Sequence, residues 1–332
     1  MAEERRISRR SFVKGLGALA AVASTPGFPW PRPAGAAQPA AGRIRFGVQT
    51  APQHTTYDAI EAVWTEADAL GYDSAFVFDH FIPILSDPSG PCLEGWTLLS
   101  ALAAKTQRVQ VGVLVTGNTY RYPAVLAKMA ATVDHVSHGR LILGLGAGWF
   151  ELEHTAYGIP FSTAGGRARQ LVEAVEVITM LFKQRRSTFT GKYYRLQDAP
   201  FEPKGIQRPY PPILIGGMGP KVIQPLAARY ADIWHFFVRG GAAEEARRVC
   251  ANFDGICRTV GRDPAAVEKS TSVRADAWNG EAGAALRTEI RGLVDAGVRH
   301  VILGLRAPFD LAVLRGFARE VIPEFRQVPA PG

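Results

Sequence analysis

Few residues in this sequence could build a disulfide framework or a metal centre. It has three cysteines in 332 residues, and two of them, Cys250 and Cys257, lie on one predicted helix. Their separation of about 10 Å along that helix exceeds the ~7 Å that a disulfide bridges. His135, His138 and His154 lack the partners of a zinc set and are expected to be solvated or to cap helices. We therefore predict no metal site, and cysteines that are packed or free.

Motifs of common hydrolases and of nucleic-acid-binding proteins are also missing. The sequence has no G-x-S-x-G elbow and no H-E-x-x-H string. It carries 38 basic and 30 acidic residues, but the basic residues are scattered, and no helix-turn-helix, zinc-finger or RNA-binding signature is present. Nucleic acid is therefore not an expected partner. A modest positive excess instead suits an anionic cofactor.

The N-terminal apolar run is too short to span a bilayer. It extends from Gly15 to Thr25, about half of the ~20 residues that a membrane helix needs, and four prolines follow it before Ala34. We therefore expect no stable membrane span. Six basic and two acidic residues lie within residues 1–36, so their removal would lower the formal charge from +8 to +4.

The first 36 residues have the order of an export signal. Arg9 and Arg10 stand in the string Ser-Arg-Arg-Ser-Phe-Val-Lys, which precedes the apolar run, and Ala34-Gly35-Ala36 follows it. This order predicts a twin-arginine signal peptide over residues 1–36, followed by a Pro/Ala-rich linker over residues 37–43. The twin-arginine route exports folded proteins, so we expect a periplasmic or cell-envelope protein that acquires a cofactor before meeting the translocase.

Residues 44–328 alternate between short apolar runs and longer helical patterns. Both a closed eight-stranded (β/α)8 barrel and a doubly wound open sheet fit this alternation of strands and helices. The number of predicted strands, eight, favours the barrel. We also expect insertions after strands 2 and 4, and a hairpin before strand 5 with Gly191-Lys192 at its tip. The predicted strands are Arg45–Thr50, Ser74–Phe78, Val109–Val115, Arg140–Gly144, Pro212–Gly216, Ala231–Phe236, Val267–Val273 and His300–Leu305.

Polar residues follow strands 2 and 3, where barrel active sites lie. Asp79 and His80 end strand 2, and an imidazole there can move a proton or bind a cofactor ring. The stretch from Thr116 to Tyr122 follows strand 3 and suits a planar ring with hydrogen-bonding edges. Loop structure explains the same residues equally well, and Arg121 fits either a ligand or a carboxylate partner.

Two glycine-rich strings follow strands 4 and 5. Gly144-x-Gly146-x-x-Trp149 lacks the third glycine of a dinucleotide fingerprint, and no helix is expected there, so Trp149 is interpreted as a wall beside a bulky ligand. Gly216-Gly217-Met218-Gly219-Pro220-Lys221 opens a predicted helix, with Pro220 in its first turn. Free amides there can hold a phosphate, although a ligand-free turn fits as well.

In their order along the chain, these strings resemble the bacterial luciferase-like family, and most closely its branch of coenzyme F420-dependent oxidoreductases. The resemblance rests on four segments and extends over nearly all of residues 44–328. The segments are Phe78-Asp79-His80, Thr116 to Ala124, Gly139 to Glu151, and Arg208-Pro209 leading to Ile215 to Gly219.

The resemblance implies a barrel that binds F420, or alternatively FMN, at its C-terminal mouth. It places His80 and Asp79 at the reactive face of the ring, as catalytic residues, and a non-proline cis peptide near Leu114 and Val115. The phosphate would bind at the turn from Gly216 to Gly219. The predicted cofactor-binding residues are Asp79, His80, Leu114, Val115, Thr116, Asn118, Gly148, Gly216, Gly217, Met218 and Gly219.

Two departures from the family's sugar-phosphate dehydrogenases bear on the substrate. Trp149 stands where those carry glutamate, and Ile84 or a neighbour where they carry tryptophan. With Trp96 and Tyr122 also near the mouth, we expect an apolar or aromatic substrate that contacts Trp149, Phe150 and Tyr120. The expected activity is F420-dependent hydride transfer. The alternatives are an FMN-dependent monooxygenase and a non-catalytic exported ligand-binding barrel, and a homodimer is left open.

Overall fold

The computed structural model describes residues 43–84, 86–238 and 243–326. The predicted signal peptide, the linker up to residue 42 and the last two residues of the predicted barrel domain lie outside these ranges. No helix in the described ranges has the length and apolar character needed to cross a membrane.

Eight parallel strands form a closed barrel. Each strand pairs with the next, and the pairing of Val111 with Leu141 joins the third strand to the fourth and closes the ring together with the other pairs. The barrel strands are β1 (Arg45–Thr50), β2 (Ser74–Val77), β3 (Gln110–Val113) continued by β4 (Thr116–Gly117), β5 (Leu141–Gly146), β8 (Ile213–Gly216), β9 (Ile233–His235), β10 (Glu268–Arg274) and β11 (His300–Leu305). The barrel prediction is confirmed, and the open sheet is excluded.

The third strand is interrupted, whereas the sequence predicted one strand over Val109–Val115. β3 ends at Val113, the Leu114–Val115 peptide is cis, and pairing with β5 resumes at Thr116. The cis peptide lies where the family resemblance implied it. Leu114 and Val115 therefore lie outside the regular strand pairing with β5, at the barrel mouth.

Helices surround the barrel, and local capping fixes several of their ends. Thr56 accepts a hydrogen bond from the Ala59 amide at the start of the first helix, and Gly71 ends that helix with φ of 82°. The helices are α1 (Tyr57–Leu70), α2 (Gly95–Lys105), α3 (Pro123–Val136), α4 (Glu151–Ala156), α5 (Ala164–Lys183), α6 (Ile223–Tyr230), α7 (Ala243–Thr259), α8 (Gly280–Asp295), α9 (Leu311–Glu320) and α10 (Ile322–Arg326).

The expected insertions and hairpin are present. Residues 78–94 follow β2, residues 147–163 follow β5, and the hairpin consists of β6 (Arg186–Thr190) and β7 (Arg195–Pro200). The Glu173 carboxylate on α5 accepts hydrogen bonds from the amides of Lys192, Tyr193 and Tyr194, and so holds the turn of the hairpin. The three hydrogen bonds satisfy backbone amides of the turn and attach the hairpin to α5.

Two predictions about helix starts are wrong. The short helix α4 begins at Glu151, where no helix was expected after the glycines of the fourth strand. Helix α6 begins at Ile223, so Pro220 precedes the helix instead of lying in its first turn. Both errors occur in loops at the C-terminal ends of strands, where tertiary contacts and not periodicity decide the local structure.

The barrel interior has an apolar layer and a polar layer. The apolar layer consists of Phe76, Leu114, Ile142, Leu214, Ile233 and Ile302. At the N-terminal ends of the strands, Arg45 is paired with Glu268 at 3.0 Å, and His300 Nε2 lies 2.7 Å from Ser74 Oγ. Cys250 and Cys257 are buried free thiols outside the barrel, which confirms that they pack as apolar residues.

Candidate active site

His80 and Glu153 form the central pair of the site. His80 lies three residues beyond β2, Glu153 lies on α4, and His80 Nδ1 is 2.7 Å from Glu153 Oε1. The second carboxylate oxygen accepts a hydrogen bond from the Phe81 amide at 2.8 Å, and Tyr120 Oη donates to the first. The Glu153 side chain is fully buried, whereas that of His80 keeps 10% of its surface exposed.

These contacts fix the protonation of the pair. Burial acts to raise the pKa of Glu153, but the hydrogen bonds from His80, Tyr120 and Phe81 outweigh it, so the pKa lies below its ordinary value. An ionised Glu153 only accepts hydrogen bonds, so Nδ1 of His80 carries a proton. The other ring nitrogen, Nε2, makes no hydrogen bond within the described residues and is left for a ligand.

Asp79 is held by a different set of partners. Its carboxylate forms a two-pronged ion pair with Arg121, at 2.6 and 3.0 Å, and accepts a hydrogen bond from the Gly117 amide at 3.2 Å. Burial raises the pKa of Asp79, and Arg121 opposes this rise. Arg121 also contacts Glu94. Arg121 was expected to bind either a ligand or a carboxylate, and the structure shows it paired with the Asp79 carboxylate. Through Arg121 and the Gly117 amide, Asp79 fixes the segment around β4.

Three of the aromatic residues that were expected near the mouth lie close to His80. Trp149 is 59% exposed and its ring centroid lies 5.7 Å from that of His80, while Phe150 lies 6.0 Å from His80. Tyr120 contacts His80 at 6.5 Å. Trp149, Phe150 and Tyr120 therefore surround the histidine.

Two other aromatic residues that were expected near the mouth make their contacts away from His80. Trp96 is buried, and its indole donates to Thr116 Oγ1 at 3.1 Å. Tyr122 is 46% exposed, and its hydroxyl donates to the Arg195 carbonyl of the hairpin. Trp96 therefore faces the protein interior and Tyr122 packs against β7.

Leu114 and Val115, which follow β3, form a shelf at the barrel mouth. Val115 packs so closely on two neighbouring glycines that neither position has room for a Cβ. A Cβ at Gly216 would lie 2.8 Å from Val115 Cγ1, and one at Gly146 would lie 2.5 Å from Val115 Cγ2. Gln49 supports the shelf by donating to the Leu114 carbonyl at 2.8 Å. Strands β4, β5 and β8 thus meet around Val115, and the predicted residues of three separate segments are brought together.

Asn118 contributes a buried polar group with one unused atom. Its amide nitrogen donates to Tyr194 Oη at 3.1 Å, and its Oδ1 has no hydrogen-bond partner among the described residues. A buried acceptor without a partner is costly, so a ring N–H at this position would satisfy it. The described site therefore fits a planar heterocycle that carries an N–H on its edge.

Gly148 and the turn after β8 give the site its remaining predicted residues. Gly148 has φ of +79°, and a Cβ there would lie 2.6 Å from Thr119 Oγ1. In the turn, the Gly217 amide donates to the His235 carbonyl. The amides of Met218 and Gly219 make no hydrogen bond within the described ranges, so the turn fits the oxygens of a phosphate.

Sequence reasoning missed Glu153, Tyr194 and the role of His154. His154 was expected to be solvated or capping, but it is buried: Nδ1 donates to the Phe150 carbonyl and Nε2 accepts from Thr119 Oγ1, each at 2.7 Å. Among the described residues, no group of three or more histidine, cysteine or carboxylate side chains is arranged to hold a metal ion. The acidic string Glu-Leu-Glu-His after the glycines of β5 was the available signal for Glu153.

The fold and site are those of a (β/α)8 barrel with its ligand site at the C-terminal ends of the strands. A family model described as luciferase-like monooxygenase matches residues 41–318. Because this match covers most of the chain, the chain belongs to that family, as the resemblance implied.

The curated relatives with similar sequences include F420-dependent dehydrogenases. The F420-dependent glucose-6-phosphate dehydrogenase of Kineococcus radiotolerans is 40% identical over 191 residues, or 57% of this chain and 55% of that protein. The F420-dependent hydroxymycolic acid dehydrogenase of Mycobacterium tuberculosis is 30% identical over 303 residues, or 84% of this chain and 79% of that protein. The chain thus spans about half the length of the glucose-6-phosphate dehydrogenases that it matches.

A solved structure shows the same fold. An F420-dependent secondary alcohol dehydrogenase in complex with an F420-acetone adduct superposes with a TM-score of 0.75, over 86% of this chain and all of the other. At 22% identity this likeness establishes the architecture only.

Proposed function

We propose that this protein is an F420-dependent oxidoreductase that transfers a hydride to or from an apolar or aromatic organic substrate. The observation that carries the proposal is the 2.7 Å contact between His80 Nδ1 and the buried Glu153. It supplies a proton-transfer group at the barrel mouth, beside an exposed aromatic wall. The F420-dependent relatives support the identity of the cofactor.

The residues that would hold the cofactor lie in the segments that follow the third and fifth strands of the barrel. Val115 would support the ring, Asn118 Oδ1 would accept a hydrogen bond from its edge, and the amides of Met218 and Gly219 would bind the phosphate. When bound, F420 supplies a carbon centre that accepts or donates a hydride.

His80 performs the proton transfer in this proposal. Glu153 holds the Nδ1 proton and fixes the orientation of the ring, so Nε2 faces the substrate side as the exchanging atom. During oxidation of an alcohol, Nε2 takes the hydroxyl proton, and the resulting imidazolium is stabilised by the ionised Glu153. During reduction of a ketone, the same nitrogen returns the proton. Trp149 and Phe150 limit the access of water to this position.

Titration of the purified protein with oxidised F420, reduced F420 and FMN tests the proposal. We expect F420 to bind and FMN to bind much more weakly. Preferred binding of FMN with oxygen consumption would instead indicate the monooxygenase, and binding of neither would indicate a non-catalytic barrel. Full turnover by His80→Ala with normal cofactor binding would show that His80 has no proton-transfer role.

The proposal includes export by the twin-arginine route, which the order of residues in the first 36 positions supports. Fractionation of cells that express the full chain should find it in the cell envelope or beyond, and the double substitution Arg9→Lys/Arg10→Lys should retain it in the cytoplasm. Cytoplasmic retention of the unsubstituted chain would contradict export. Sedimentation of the purified protein would show whether the homodimer forms.

A further inference from the structure

His154 has no role in the chemistry described above, although it is buried and follows Glu153 on α4. Its Nδ1 lies 2.7 Å from the Phe150 carbonyl, and because a carbonyl only accepts hydrogen bonds, Nδ1 is the donor. The other nitrogen, Nε2, is therefore an acceptor in the neutral ring, and Thr119 Oγ1 donates to it at 2.7 Å. Both ring nitrogens of His154 thus have partners within the protein.

Helix α4 depends on contacts outside itself for its position. It has six residues, Glu151–Ala156, and within the described residues no side chain caps its N-terminus at Phe150. Short helices are unstable alone, because few hydrogen bonds form for each residue that is fixed. The hydrogen bond from His154 to the Phe150 carbonyl closes the first turn of α4, and the bond from Thr119 attaches this turn to the loop after β4.

The loop after β4 is a firm attachment point because it is held on both sides of Thr119. On one side, the Asn118 amide donates to the Gly146 carbonyl of β5 at 2.9 Å. On the other side, Arg121 is paired with the buried Asp79 carboxylate at 2.6 Å. Contacts to Thr119 therefore transmit the position of the barrel strands to α4.

The next residue of this loop, Tyr120, contacts both His154 and Glu153. Its ring centroid lies 5.0 Å from that of His154, and its hydroxyl donates to Glu153 Oε1, the oxygen that also contacts His80. Two consecutive residues of the loop, Thr119 and Tyr120, therefore bind two consecutive residues of the helix. A rotation of α4 would break both contacts and move the carboxylate away from His80.

We propose that His154 is a positioning residue: attached to Thr119, it holds Glu153 against His80 and thereby keeps the proton of the neutral His80 ring on Nδ1. Glu153 selects this tautomer only while its carboxylate lies at hydrogen-bond distance from Nδ1. The inference rests on the proposed function, since it names a residue that keeps Nε2 of His80 available for the proton of the substrate.

NMR of the histidine ring nitrogens tests this proposal, because it reports which nitrogen carries the proton. Spectra of the purified full chain, with F420 absent and present, are recorded in alkaline buffer, where an ordinary imidazole is neutral. The variant His80→Gln identifies the His80 signals. His154→Phe keeps a ring between Tyr120 and Phe161 but removes both hydrogen bonds. The ratio of Nδ1–H to Nε2–H in His80 should then fall at least about threefold, as expected when hydrogen bonds of ordinary strength are lost.

Two further variants separate the hydrogen bonds of His154 from the packing of its ring. Thr119→Val removes only the hydroxyl donor and should lower the same ratio. The amide oxygen of His154→Gln can accept from Thr119 as Nε2 does, so this variant should restore part of the ratio relative to His154→Phe. His135→Phe is the matched control, because it removes the 2.7 Å contact of another histidine with the Lys204 carbonyl. It should leave the ratio unchanged.

An unchanged ratio in folded His154→Phe or in Thr119→Val would overturn the proposal, as would an equal change in His135→Phe. A His80 ring that carries its proton on Nε2 in the unsubstituted protein would also overturn it. If His154→Phe does not fold, Thr119→Val decides the outcome. A ratio that falls as expected in a protein without F420 binding would overturn the proposed cofactor and leave the positioning role intact. Normal F420 binding with an unchanged ratio would do the reverse.

Discussion

His80 Nδ1 and Glu153 Oε1 are 2.7 Å apart although 73 positions separate the two residues in the chain. One residue ends a barrel strand, and the other lies on a short helix in a later insertion. The contact sets which nitrogen of the imidazole holds a proton at rest.

Glu153→Gln should lower the free energy of unfolding by about 1.5–3 kcal/mol at neutral pH, because the hydrogen bonds that the ionised carboxylate accepts from His80, Tyr120 and the Phe81 amide lose their charge. The pKa of Glu153 lies below its ordinary value, so the stability that the carboxylate contributes is present at neutral pH and is lost as pH falls through that pKa. Urea unfolding of both proteins at several pH values measures the difference, which should shrink in acid. Glu151→Gln, on the same helix but exposed, should leave the unfolding free energy nearly unchanged. Equal stability of Glu153→Gln and the wild type at neutral pH would contradict the role of the pair.

Gly216→Ala should both destabilise the protein and weaken F420 binding. The new methyl group would lie 2.8 and 3.2 Å from the two Cγ atoms of Val115, which must move. Overpacking of this kind costs about 1–3 kcal/mol. Urea unfolding and F420 titration measure the two effects. Gly255→Ala, in helix α7 with no atom within 4 Å of the new Cβ, should instead stabilise by about 0.5–1 kcal/mol.

Arg121→Ala should destabilise by about 3–5 kcal/mol, because it leaves the buried Asp79 carboxylate without its ion-pair partner. Without Arg121, burial raises the pKa of Asp79 further. A carboxyl whose folded pKa exceeds its unfolded value favours the folded state below the unfolded pKa and loses this advantage as pH rises. The difference between variant and wild type should therefore shrink at acidic pH. Asp79→Asn/Arg121→Ala should recover part of the loss at neutral pH, and a larger loss would refute the explanation.

His235→Gln should reduce the acid sensitivity of the fold. Burial, with a contribution from His300, lowers the pKa of His235 to about 3. Between this value and the unfolded value of about 6.5, the unfolded state binds one proton more, so stability falls as pH falls. The wild type should lose about 2 kcal/mol more than the variant between pH 7 and pH 5. Equal changes in the urea unfolding free energy of both proteins would contradict a neutral buried His235.

The sequence was sufficient for the architecture because alternation of strands and helices is a local signal that repeats eight times. It also placed His80 and the turn from Gly216 to Gly219 just after strands, where the structure has them. The cis peptide at Leu114–Val115 was found through the family resemblance alone. These predictions depend on the position of residues along the chain and not on contacts between distant segments.

The sequence did not reveal the partners of the site residues. Glu153 lies in an insertion without periodicity, and its contact to His80 exists only once β2 and the loop after β5 are folded side by side. Trp96 was expected near the mouth, but no local pattern shows that its indole is buried and donates to Thr116 Oγ1. Side-chain direction at a strand end is set by tertiary packing, which local patterns do not encode.

Helix α4 and the residues just before it concentrate most of what distinguishes this site. Residues 147–163 include Trp149 and Phe150, which lie beside His80, and Glu153, which is the hydrogen-bond partner of His80. None of these three residues belongs to a barrel strand. The hydrogen-bond partner of His80 and two of the rings around it therefore lie on one continuous segment outside the strands, so a change confined to residues 147–163 alters both without touching the barrel strands.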